Sequence, residues 1–161
     1  MKRFLPLMLC ALCAFASTAA VAQEGAAAEA NMEILHDKVK ADKKLVVAAN
    51  MDLTDAEAKA FWPIYEEYQN ELRALDERLV RAIKVYADGY NANSLTDEAA
   101  NGLIKDVLAT DTDEAAMRTK YAAKLARVLP GKKVMRYLQI ESKIRAVIRY
   151  QLAEGIPLLA S

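Results

Sequence analysis

Apolar residues recur at alternating three- and four-residue steps along most of this chain, and the longest such run lies between Leu53 and Tyr86. Phe61, Tyr65, Tyr68, Leu72, Leu75, Leu79 and Tyr86 draw one continuous seam, the signature of an amphipathic helix. If unbroken from Thr54 to about Asp88, that helix is roughly 50 Å long at about 1.5 Å per residue. A seam of that length needs a cover, and the flanking segments read as what covers it.

Helical character is expected from near Asn31 to about Asn50, with Ile34, Leu35, Val39, Leu45 and Val46 apolar among lysines. Thr54 and Glu57 have the spacing of a capping box, which opens the long helix. Pro63 deletes one backbone hydrogen bond inside it and is expected to kink it near Trp62. Gly89 to Ser94 reads as a turn, with Gly89 in the left-handed position that ends a helix. Thr96 then caps a helix whose seam uses Leu103, Ile104, Val107 and Leu108, then Met117, Tyr121, Leu125 and Val128.

Between those two blocks, Thr110 to Glu114 interrupts the pattern and reads as a solvated or frayed face. A calcium loop there lacks its glycine turn and closing glutamate. Leu129-Pro130-Gly131 turns the chain. The last helix, Lys132 to Leu152, is expected to turn Val134, Tyr137, Leu138, Ile140, Ile144, Val147 and Ile148 inward. Lys132, Lys133, Arg136, Lys143, Arg145 and Arg149 would face out, with Glu141 pairing with Arg145 one turn on. Gly155-Ile156-Pro157 stops it, leaving Leu158 to Ala160 as an apolar tail. No stretch alternates as a strand does, so the expected fold is all-α, about four helices in an elongated hairpin or bundle.

The first 22 residues differ in kind. Lys2 and Arg3 precede an apolar run from Phe4 to Phe15, and Ala20-Val21-Ala22 closes the segment before Gln23. That is the pattern of a secretory signal peptide cleaved after Ala22, with an apolar run too short to span a bilayer. Removing 22 of 161 residues leaves 139, enough for one domain. Cys10 and Cys13 leave with the signal, so no disulfide or thiol site remains. Gln23 to Ala30 is Ala- and Glu-rich without a seam and reads as a disordered lead-in; residues 31–161 form the single all-α domain. A periplasmic location follows, without stable membrane insertion.

Net charge is zero, but its distribution is uneven. Residues 23–115 hold 10 Lys and Arg against 20 Asp and Glu, while residues 116–150 hold 10 against Glu141 alone. Either the acidic front and basic back neutralise each other on folding, or the back presents an exposed binding face. Secretion argues against nucleic acid as a partner. On the charge count, Arg118, Arg127, Lys132, Lys133, Arg136, Arg145 and Arg149 are the candidate contacts for a protein partner. Trp62, off the main seam, is either packed by the first helix or exposed for a partner.

Catalytic equipment is sparse: one His, three serines after the signal and isolated glycines, from which neither a Ser-His-acid site nor a phosphate-cradling loop can be built. No enzyme and no cofactor is expected. Glu33 and His36 have the Glu-x-x-His spacing of helical di-iron sites, but a full ligand set would need two chains. A solvated histidine is the default, and no metal site is assigned. Acid pairs such as Glu66 with Glu67 and Asp76 with Glu77 read as solvated surface.

The two helix starts, Leu53-Thr54-Asp55-Ala56-Glu57 and Leu95-Thr96-Asp97-Glu98-Ala99, resemble the doubled Leu-Thr-x-x-Gln motif of the periplasmic LTxxQ family of Spy- and CpxP-like proteins. Glu57 and Ala99 stand where that family has Gln, and the Phe-Trp-Pro-x-Tyr segment resembles the mark of a separate subgroup. The resemblance implies a curved homodimer of long helices, binding unfolded clients through positive and apolar residues without ATP. The alternatives are a sensor or adaptor for one envelope protein and, less directly, a metal-binding stress protein.

Overall fold

A computed structural model describes residues 42–159. The expected signal peptide, the expected lead-in and the Glu33/His36 pair lie outside the described residues. The chain divides into two units at Val46 and Val47. Of the first, only 42–46 are described, helical and with Leu45 and Val46 exposed. The second carries everything that follows.

The described fold is all-α, in four helices with bundle-like packing. These are α1 (42–51), α2 (Asp55–Asn91), α3 (Asp97–Leu125) and α4 (Gly131–Gly155). The α2 start is the expected capping box. Glu57 N–H donates to Thr54 Oγ1 at 3.3 Å, and Thr54 N–H donates to Glu57 Oε2 at 2.8 Å, satisfying two amides that no turn of helix reaches. Thr96 caps α3 by accepting from Ala99 N–H at 3.2 Å.

Helix α2 runs through Pro63 as one element of 37 residues. Gly89 remains inside it, and Asn93, with φ 48°, takes the left-handed position instead. Asn tolerates that conformation because its short polar side chain bonds locally. Gly89 has a different use: a Cβ there would come within 3.0 Å of Leu95 Cδ1, so its bareness lets the residue before the α3 cap pack on α2.

Ion pairs report the register of α2 and α3. As α2 advances through Glu67, Glu71 and Arg78, the partners on α3 retreat through Lys124, Lys120 and Asp113. The helices are therefore antiparallel, in steps of one and two turns. Helix α4 is antiparallel to α3, with Arg118, Glu114 and Asp111 meeting Ser142, Arg145 and Arg149 in turn. It runs parallel to α2, which it reaches through long side chains.

The core fills the end where α2 begins. Phe61, Tyr65, Tyr68, Leu72 and Leu75 of α2 meet Met117, Tyr121 and Leu125 of α3, Leu129, and Val134 and Tyr137 of α4, with Val47 and Met51 of α1. Phe61, Tyr65 and Tyr68 surround Tyr137 with ring centroids 5.2 to 6.2 Å apart, all near edge-to-face, the arrangement that ring quadrupoles favour. Trp62 is half-buried and packs edge-on against Phe61 and Tyr65 at 5.0 and 5.3 Å. It belongs to the edge of this cluster.

Several inward assignments do not hold. Ile104, Leu108 and Val147 are more than half exposed, while Arg145, expected to face outward, is buried at 8% exposure. The Thr110–Glu114 stretch is neither frayed nor wholly solvated. Helix α3 is continuous through it, Thr110 and Glu114 are buried, and the Thr110 hydroxyl donates to the Asp106 carbonyl. Seam periodicity marks which face points in but not whether anything is there to meet it.

Among the described residues, the buried hydroxyls of Tyr65 and Tyr68 have no hydrogen-bond partner. An unsatisfied buried group costs about 1–3 kcal/mol, so Tyr68→Phe is expected to leave stability unchanged or to raise it by up to about 1 kcal/mol. Tyr137→Ala, which empties the centre of the aromatic cluster, is expected to cost about 3–5 kcal/mol. Urea denaturation monitored by far-UV circular dichroism checks both.

Candidate functional site

The bundle changes character halfway along. On one side lies the aromatic core; across the middle runs a belt of charge; beyond it the helices leave a groove.

The belt centres on Arg145. Its guanidinium donates to Glu114 Oε1 at 3.1 Å and forms a second, shorter bond to Oε2, a forked geometry that suits carboxylates. It also donates to Asp76 Oδ1 at 2.5 Å. Arg149, one turn on, donates to Glu114 Oε2 at 2.8 Å and to Asp111 Oδ1 at 2.7 Å. Burial pushes the Glu114 carboxyl upward, but Arg145 and Arg149 outweigh it and hold the group below its ordinary value. Burial likewise opposes the Arg145 charge, and bonds to Glu114 and Asp76 more than restore it. The expected Glu141–Arg145 pair is replaced: Glu141 is 1% exposed and accepts from Gln69 Nε2 at 2.9 Å. Asp76 and Glu67, read as solvated, are both in ion pairs.

The charged candidates therefore divide. Lys133 donates to Glu57 Oε2 at 2.6 Å and to the Asp52 carbonyl at 2.7 Å. With Arg145 and Arg149 it belongs to the scaffold. Lys120 and Lys124 are held by Glu71 and Glu67, and Tyr121 donates to Glu71 at 2.9 Å. Burial, aided by that bond and the Glu71 charge, pushes the Tyr121 hydroxyl up to about 12. Among the described residues Arg118, Arg127, Lys132, Arg136 and Lys143 form no ion pair, and all five are exposed. Half of the cations in the basic segment are thus neutralised by acids of the fold, and half stay exposed.

Past the belt, Leu79, Ala82, Ile83 and Tyr86 of α2 face Leu103, Ile104, Val107 and Leu108 of α3 and Leu152, Ala153 and Ile156 at the α4 end. They line an apolar groove of about 610 Å³, with Arg149 at its inner limit. Ile104 and Leu108 are 57% and 60% exposed on its wall. At the far end Tyr86 donates its hydroxyl to the Pro157 carbonyl at 2.6 Å, pinning the tail so that Leu158 is 90% exposed. Reading the seam as core missed this groove. Its signal was the small residues Ala82 and Ala153, which leave the space unfilled.

Among the described residues no group of three or more His, Cys, Asp or Glu could hold a metal ion, and no helix is long and apolar enough to cross a membrane.

Removing one partner of a buried ion pair leaves the other uncompensated. Arg145→Met is expected to destabilise the fold by about 3 kcal/mol, against less than about 1 kcal/mol for Arg136→Met on the open surface. Glu114 has a lowered folded value, so its contribution is complete above the unfolded carboxylate value and is lost as pH falls through the folded one. Glu114→Gln should flatten the acid limb of a stability–pH curve from chemical denaturation. Comparison of the chain with protein-family models, curated proteins and solved structures gives no match.

Proposed function

We propose that this chain is an ATP-independent, chaperone-like protein of the bacterial periplasm that holds unfolded polypeptide clients, acts as a homodimer and is similar in role to the LTxxQ family. The observation that carries this reading is the apolar groove with Ile104 and Leu108 exposed on its wall. Exposed apolar patches on soluble proteins mark interaction sites more often than chance allows. A groove open along its length suits an extended or partly helical segment, whose apolar side chains need burial and whose sequence need not be fixed.

The unpaired cations add a second element. Arg127, Lys132 and Arg136 present charge that ion pairing within the fold does not cancel, and such charge speeds encounter with acidic clients in a salt-sensitive way. The leader pattern before Gln23 supplies the address, and no reaction is assigned.

Light scattering of a denatured client diluted into buffer with the purified protein tests the reading. Suppression of aggregation is expected at near-stoichiometric ratios, weakening as salt rises. Ile104→Asp with Leu108→Asp removes two apolar contacts of about 1.5–3 kcal/mol each when buried. The pair should raise the protein needed for half-suppression by about tenfold or more, with the far-UV spectrum unchanged. Absence of suppression at any ratio would sink the generic client reading and favour an adaptor for one envelope protein.

A further inference from the structure

A second cleft lies on the face between α3 and α4, lined by Arg118, Met135, Arg136, Gln139, Ser142 and Lys143 among others, with a volume of about 660 Å³. Of the five cations between residues 116 and 150 that form no ion pair, three meet here, and no carboxylate lines the cleft. Elsewhere on the same two helices, Lys120, Lys124, Lys133, Arg145 and Arg149 are each matched by an acid. This cleft gathers three uncompensated charges onto one apolar-floored surface.

Its geometry is prepared as well as charged. Arg118 donates to Ser142 Oγ at 2.8 Å, which fixes the guanidinium across the gap beside Lys143. Arg136 stands two turns earlier on α4, roughly 10 Å away along the axis, within reach of the same point for two long side chains. Half-buried Leu138 and Ile140 contribute apolar surface, and Met135, 57% exposed, adds an adaptable thioether. A bare anion would leave that apolar surface unused, and a neutral hydrocarbon would leave the cations unused. The volume lies in the range of small-ligand sites.

We infer that this cleft binds a single-chain anionic amphiphile, with a phosphate or carboxylate head held by Arg118, Arg136 and Lys143 and an alkyl chain lying along Met135, Leu138 and Ile140. The inference is independent of the polypeptide-binding reading, which uses a different groove.

Calorimetric titration of the purified protein with dodecyl phosphate, below its micelle concentration, tests it. One molecule is expected per chain, bound at least about tenfold more tightly than either inorganic phosphate or dodecanol, a ratio equal to about 1.4 kcal/mol. Arg136→Glu with Lys143→Glu, both exposed, should weaken binding by more than about tenfold while the far-UV spectrum stays unchanged. Ile104→Asp with Leu108→Asp, in the other groove, should leave it intact. Equal binding of dodecanol would overturn the role of the cations, and equal binding of inorganic phosphate the role of the apolar floor. Loss of binding in the Ile104/Leu108 variant would move the ligand to the other groove and overturn the assignment. Binding to phosphatidylglycerol vesicles without binding of the monomeric amphiphile would make the cleft a membrane-surface contact and equally refute it.

Discussion

Arg145 is the point on which three helices depend. It projects from α4, grips Glu114 of α3 through both carboxylate oxygens and reaches Asp76 of α2. Desolvating a guanidinium is costly, and only close, multiple hydrogen bonds to acids recover the loss. Wherever Arg145 is buried, Glu114 and Asp76 must therefore be within reach, and this fixes the axial position of α4 against the other two. The α2 and α4 backbones are held apart and bridged by side chains, the rings around Tyr137 at one end and polar groups beyond it, so polar geometry shares with ring packing the positioning that close backbone approach would otherwise do.

The belt around Arg145 also separates two environments made from one seam. Toward the start of α2, five rings and a set of aliphatic side chains form the buried core. Toward its end the same periodicity continues, but alanines and a helix that stops at Gly155 leave the seam half covered. A seam residue is core or contact surface according to the side chains opposite it. Tyr68 and Tyr86 occupy equivalent positions on α2 and end in different states, one buried and one half-exposed beside an open groove.

This explains how far the sequence was legible. The helices, the Thr54–Glu57 box, the Thr96 cap and the stop at Gly155 depend on local chemistry, and the residues that cause them lie within a few positions of their effect. Arg145 was assigned to the surface because on its own helix it stands among Lys143 and Arg149, in a row that reads as solvated. Its burial is decided by Glu114, 31 positions away, which sits in an acidic run that itself looked exposed. Two charged segments each seemed to need water, and they satisfy one another instead. The open groove was hidden for the opposite reason, since leucines and isoleucines at helical spacing give no sign that their cover is missing.

The three ion pairs between α2 and α3 carry an implication for how the hairpin avoids mistakes. A coiled pair of amphipathic helices can slide by one turn and still bury much of its seam, because four residues nearly restore the face. Here a slide of one turn in one direction brings Glu67 opposite Lys120 but leaves Glu71 facing Ala116 and Arg78 facing Ala109. In the other direction Glu71 meets Lys124, while Glu67 faces Val128 and Arg78 faces Met117. Either misaligned hairpin keeps one pair of three and strands the remaining charges against apolar side chains. Individually weak surface contacts thus act together as a vernier, rejecting near-degenerate alignments that hydrophobic periodicity by itself would accept.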